Sequence, residues 1–110
     1  MYGLISDIVD CQVACNHCFN TCLEGKDVRM MAQCIKLNRD CSEMCSVALS
    51  FVASESDFVQ ELLKLCIDIC EACGRECAKH HYEYCRQCAK ACGKCAESCR
   101  KYSLWIEERV

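Results

Sequence analysis

The stretch CRQCAKACGKCAESC, residues 85–99, places a cysteine at every third or fourth position. That spacing returns a side chain to the same face of an α-helix. Cys85, Cys88, Cys92, Cys95 and Cys99 therefore form one stripe. The pattern recurs upstream: Cys11, Cys15, Cys18 and Cys22 step by four, three and four, and so do Cys66, Cys70, Cys73 and Cys77. Cys34, Cys41 and Cys45 keep the phase, with Asn38 standing in the one vacant slot. At about 100° per residue, each set stays within an arc of roughly 60 to 80°. Four narrow stripes predict four helices.

Breakers are scarce, with no Pro and four Gly in 110 residues, so each helix can run for about 20 residues. The first is expected from about Leu4 to Leu23, with Gly25 as a left-handed C-terminal cap and Asp27 capping the next helix. The second runs from about Val28 to Ala53. Ser54 and Asp57 then have capping-box spacing and Ser56 competes as N-cap, so the third helix starts near Asp57 and continues to about Lys79. The fourth follows HHYEY and runs from about Glu83 to Glu107. Short connections make sequential helices antiparallel. The expected fold is all-α: one domain over residues 1–110, an antiparallel four-helix bundle with a Cys-lined interior.

Sixteen Cys in so short a chain first suggest a secreted disulfide scaffold. The N-terminal MYGLISDIVDCQVAC has no basic segment and no long apolar one, and Asp7 and Asp10 interrupt it, so no secretory signal is read there. No apolar run approaches the roughly 18 residues of a membrane span. The expected compartment is a reducing cytoplasm, where dense Cys reads as metal or redox chemistry. A formal charge of −3 with mixed signs leaves no basic footprint for nucleic acid. Neither nucleic acid nor membrane is an expected partner.

A stripe at spacings of three and four is the seam that a bundle turns toward its axis. Cys as plain core filling is the bland alternative, but ordinary cores use Leu, Ile and Val for volume. Those residues are displaced: Leu62, Leu63, Leu65, Ile67 and Ile69 surround the third stripe and are expected to seal the seams. Partners stacked along one helix face are poorly placed for disulfides. The CxxC units at Cys15/Cys18, Cys70/Cys73, Cys85/Cys88 and Cys92/Cys95 lack the strand that a thioredoxin-like site requires. Nor does the chain offer paired carboxylates or a nucleophile, base and orienter set, so no enzyme is expected.

Soft thiolates select copper(I), zinc or iron-sulfur clusters. Zinc needs four convergent ligands, and rigid helical stripes are expected to converge poorly. An iron-sulfur electron carrier stays open, as does a zinc-thiolate buffer. Copper(I) tolerates low coordination numbers and lets one thiolate bridge two ions, so a ladder of thiols suits many ions rather than one site.

The pieces ACNHCFNTCLE from Ala14, CIKLNRDCSEMC from Cys34 and CIDICEACGRECAKH from Cys66, together with the stretch from Cys85, resemble the cytosolic bacterial copper storage proteins over nearly the whole chain. The resemblance implies a four-helix bundle, commonly a homotetramer, that stores and detoxifies many Cu(I) ions on the thiolates inside each bundle. All sixteen cysteines, and His80 one turn beyond Cys77, are then the metal ligands. The family's first Cys stripe begins earlier, where this chain has Leu4, Asp7 and Ile8. The family also follows the third helix with alternating His, of which His80 alone is in place.

Beside the ladder, His17 lies about 120° off its stripe and is expected to face a neighbour or solvent. Met30, one turn before Cys34, and Met44, beside Cys45, carry thioethers suited to copper(I), although Met more often fills core. Asn38 is expected to satisfy hydrogen bonds inside the bundle. Copper is expected to load at a mouth by His80, with an opposite mouth near Met30.

Overall fold

The computed structural model describes residues 1–109; Val110, the last residue of the expected domain, lies outside the described residues. Its four helices are α1 (Tyr2–Glu24), α2 (Ala32–Ala53), α3 (Val59–Cys77) and α4 (Glu83–Arg109). α1 packs on α2 and α4, and α3 packs on the same two, while the diagonal pairs stay apart. The helices therefore ring a common axis in a rod of 50 × 19 × 19 Å. This is the expected up-down-up-down bundle.

The inward face explains both the packing and its limits. α1 buries Leu4, Ile8, Cys11, Cys15, Cys18 and Cys22; α3 buries Val59, Leu63, Cys66, Cys70, Cys73 and Cys77. In both, sulfur gives way to aliphatic side chains at the same end of the rod. Ala48 and Val52 of α2 join them there. The result is an aliphatic plug, in which burying a single Leu or Ile contributes roughly 1.5–3 kcal/mol. Leu63 is thus an axial residue and not the seam residue expected of it, because it sits three residues before Cys66, in phase with the thiols. Leu62, Ile67 and Ile69 do pack along the flanks of the core, whereas Leu65 is 49% exposed.

Helix ends depart from expectation in three places. Gly25 is extended (φ −80°, ψ 176°) and not left-handed; it carries the chain toward Asp27, whose carbonyl accepts the Met31 N–H at 3.0 Å. The Asp27 carboxylate accepts the Tyr82 hydroxyl at 2.6 Å instead of capping α2, and α2 starts at Ala32 rather than Val28. The left-handed residue is Glu55 (φ 54°) after α2. There the Ser56 N–H reaches Phe51 O at 3.0 Å and the Glu55 N–H reaches Val52 O at 3.1 Å, the paired bonds of a Schellman end. Ser54 and Asp57 accordingly form no capping box. Ser54 Oγ turns back to Phe51 O, Ser56 Oγ accepts the Phe58 N–H, and α3 begins at Val59.

The Tyr82–Asp27 bond also corrects the topology of access. In an up-down bundle, the α1–α2 and α3–α4 turns close the same end, and this bond ties them together. Met30 and His80 therefore share one mouth. The opposite end, where α2 turns into α3, α1 starts and α4 ends, is the plugged one. Polar clasps hold the seams: Ser42 Oγ donates to Asn16 Oδ1 at 2.7 Å, Ser103 Oγ donates to Gln60 Oε1 at 2.6 Å, Ser98 donates to Asp7, and Arg100 pairs with Glu71. Among the described residues, no helix is long and apolar enough to cross a membrane.

Candidate metal centre

All sixteen cysteines are free thiols with at most 1% of their surface exposed. Each stripe points inward because the spacing keeps it on one face, and four such faces meet on the axis. The sulfurs then pack against one another across helices. Cys11 Sγ lies 3.7 Å from Cys41 Sγ and 3.8 Å from Cys92 Sγ. Cys15 lies 3.7 Å from both Cys88 and Cys92, and Cys41 3.7 Å from Cys70. Cys34 and Cys77 are 3.5 Å apart, far beyond the roughly 2.05 Å of a disulfide.

Sets of three or four sulfurs lie within 4.8 Å of one another, and successive sets share members. Cys11, Cys41, Cys45 and Cys70 form one set; Cys11 and Cys41 join Cys15 and Cys92 in the next. Cys15 and Cys92 recur with Cys73 and Cys88, Cys88 recurs with Cys18 and Cys77, and Cys18 recurs with Cys22, Cys34 and Cys85. Toward the plug, Cys66 lies 3.9 Å from Cys70 and 4.0 Å from Cys99. Cys95 is buried on α4 between Cys92 and Cys99. The sulfurs form one column in which a thiolate can serve two neighbouring ions. Fourfold convergence, expected to be poor on rigid helices, is good, because each of these sets draws on three different helices.

Asn38 is wholly buried in the column. Its Oδ1 accepts S–H bonds from Cys73 at 3.3 Å and from Cys77 and Cys88 at 3.5 Å, and its Nδ2 donates to Cys34 Sγ at 3.6 Å. A buried amide needs such partners, and this one has them on both ends.

Burial raises these thiols, whereas a hydrogen bond between two of them lowers the acceptor and raises the donor. Cys22 is pushed up to about 11, first by burial and then by the charge of Cys18. Burial likewise raises Cys85 and the phenol of Tyr84. Cys18 shifts down chiefly through its hydrogen bond with Cys34, and Cys34 shifts up as the partner that keeps its proton. A metal ion must therefore displace protons as it binds.

The mouth holds the remaining candidates. His80, mostly buried at the α3–α4 turn, has Nε2 3.0 Å from Glu76 Oε2. Glu76, itself largely buried, also pairs with Lys79 at 3.3 Å. His17 and His81 are exposed. Met30 is 70% exposed and turned away from the thiols, whereas Met31 is buried to 1%. The sequence carried the signal for Met31: from Cys45 back through Cys41, Asn38 and Cys34 the steps alternate four, three, four, so the next step is three. Met44 is partly buried against the core.

A four-helix bundle closed around a continuous column of buried, mutually bridging thiols defines a multinuclear metal-thiolate protein. The chain belongs to the copper storage protein family, whose model matches residues 1–104. It is 48% identical over 96 residues to the uncharacterized cysteine-rich protein YhjQ of Bacillus subtilis strain 168, covering 87% of this chain and 89% of that one. The Cu(I)-bound copper storage protein BsCsp3 superposes with a TM-score of 0.88 at 46% identity, over 91% of this chain and 94% of that one. A cytosolic copper storage protein from Streptomyces lividans, solved with five coppers, gives a TM-score of 0.86 at 31% identity, over 89% and 87% of the two chains.

Proposed function

We propose that this chain stores and detoxifies copper(I) in the cytoplasm by holding many ions on the thiolates inside its bundle. The observation that carries this reading is the sharing of sulfurs between successive sets along the axis. Sharing suits a soft ion of low coordination number, whose thiolate ligands bridge. The sixteen cysteines and, at the mouth, His80 are the ligands of this reading, and residues 1–110 act as one storage domain. The family is named for storage, and the column offers redundancy where a catalyst would need one unique constellation. A cytoplasmic setting agrees with the cytosolic relative and with the reducing conditions that free thiols need. We extend the reading to a homotetramer, as the resemblance implies; large apolar side chains remain available for it on the outer faces, Val13, Leu65 and Leu104 among them.

Charge separates copper(I) from the alternatives. Sixteen thiolates carry sixteen negative charges; four zinc ions with four thiolates each would supply eight positive ones and leave eight uncompensated. Uncompensated buried charge costs several kcal/mol per ion. One monovalent ion per thiolate leaves none. An iron-sulfur cluster brings its own sulfides and spreads its ligands over the cluster corners, wider than these packed sulfurs.

Anaerobic competition tests the metal. With equimolar Cu(I) and Zn(II) supplied in excess, the reduced protein should be recovered colourless with copper far above zinc. Zinc in the majority, or visible absorbance with bound iron in the protein as purified, would overturn the reading.

A further inference from the structure

We infer that Met31 and Cys22 form a capture site for a soft monovalent metal ion at the open end of the thiol column, ahead of the storage sites. The inference rests on the storage reading and adds to it the route by which the cargo is received.

The far end of the axis is closed by the aliphatic plug of Leu4, Ile8, Val52, Val59 and Leu63, each at most 6% exposed. The walls are sealed by packed helices, whose separation would expose apolar surface at about 25 cal/mol per Å². The mouth differs. A hollow of about 460 Å³ opens between the α1–α2 connection and the start of α4, lined by Cys22, Met31, Asp27, Tyr82 and Tyr84 among others. Cys22 is the one cysteine on its wall, and Met31 supplies the only other sulfur. Both are buried to 1%, so they form its inner surface and not its rim.

The donor set decides the ligand class. Thioether and thiolate sulfur together favour Cu(I)-like ions over zinc and over hard cations. The two carboxylates in the hollow are both engaged, Asp27 by the Tyr82 hydroxyl at 2.6 Å and Glu24 by the Asn20 side-chain amide at 2.9 Å, and both are hard oxygen donors, which leaves sulfur as the donor suited to a soft ion. A thioether binds without losing a proton and carries no charge, so it holds the ion weakly and yields it to thiolates deeper in. When the ion moves onto Cys22, one metal–sulfur bond forms, the bond to the delivering ligand breaks, and the thiol proton leaves to solvent; the metal stays monovalent. Cys18 Sγ lies 4.0 Å from Cys22 Sγ and 3.9 Å from both Cys34 and Cys85, so the next exchange leads directly into the column. Met30, 70% exposed, has no such connection.

The test is stopped-flow transfer of Cu(I) from a chromogenic chelator into the reduced protein, with Met31→Leu compared against Met30→Leu and wild type. Leu keeps the apolar volume and removes the sulfur. Met31→Leu should load about tenfold more slowly, the effect of about 1.4 kcal/mol on a barrier. Its equilibrium capacity and helical circular dichroism should match wild type, and Met30→Leu should load at the wild-type rate. Unchanged loading by Met31→Leu would overturn the capture site, as would an equal slowing by Met30→Leu. A fall in capacity matching the fall in rate would overturn it too, since Met31 would then be a structural prop. If wild type itself takes up no copper, the storage reading fails first and the capture site with it.

Discussion

Asn38 Oδ1 accepts the S–H of Cys73 at 3.3 Å on the axis of the bundle. The same oxygen takes Cys77 and Cys88 at 3.5 Å, while the amide nitrogen donates to Cys34 at 3.6 Å. One amide thus stands in a thiol slot and is saturated by four thiols from three helices.

Asn38→Ala leaves those S–H donors without their acceptor and opens a void beside them. The metal-free, reduced variant should lose roughly 1–3 kcal/mol in urea unfolding, with an unchanged m-value. Asn38→Cys instead completes the α2 stripe. It should raise copper capacity by roughly one ion, because each added thiolate takes a share of bridged metal. A variant with an extra thiol and no extra copper would show that the slot lies outside the storage column.

The metal-free protein should already be helical. The thiols pack as small hydrophobes, and no buried side-chain nitrogen or oxygen among the described residues lacks a hydrogen-bond partner. Circular dichroism of the chelated, reduced protein should therefore show a strongly α-helical spectrum, unlike zinc fingers, which unfold without metal. A coil spectrum would mean that copper builds the bundle.

His80 sits one turn beyond Cys77 with one ring nitrogen held by Glu76, which leaves the other free to meet an ion at the mouth. His80→Ala should slow copper loading or removal while changing capacity by about one ion or fewer, as a single imidazole ligand allows. Transfer kinetics in both directions check this. Unchanged rates would reduce His80 to a helix-end residue that braces Glu76.

Cys15 and Cys18 each belong to two sulfur sets, but the set of Cys11, Cys41, Cys45 and Cys70 uses neither. Replacing both by Ser should lower copper capacity by a few ions and leave the remainder bound, as read by metal analysis after gel filtration. Loss of all binding would identify the cargo as a single cluster.

The column was legible because a period of three and four carries its own geometry: every cysteine from Cys11 to Cys99 points where its spacing put it. The bundle ends were less legible. Gly25 is free to be left-handed, yet the chain leaves α1 extended so that Asp27 can reach Tyr82. Glu55 has no local preference for a positive φ, and the paired bonds that close α2 impose it. Met30 and Met31 differ by one residue of phase, about 100° on a helix, and that step decides which thioether is buried. Leu63 resembles the seam residues around it in composition, although its distance from Cys66 already places it on the axis. Convergence of four sulfurs depends on how helices are staggered, a tertiary property that no single stripe contains.

The most direct test is an anaerobic titration of the reduced, metal-free protein with Cu(I), followed by quantification of copper and protein in the same fraction. The account predicts uptake that continues well past four ions per chain before free copper appears, with thiol protons released as it proceeds. Saturation at one ion, or at the complement of a single four-cysteine site, would contradict it.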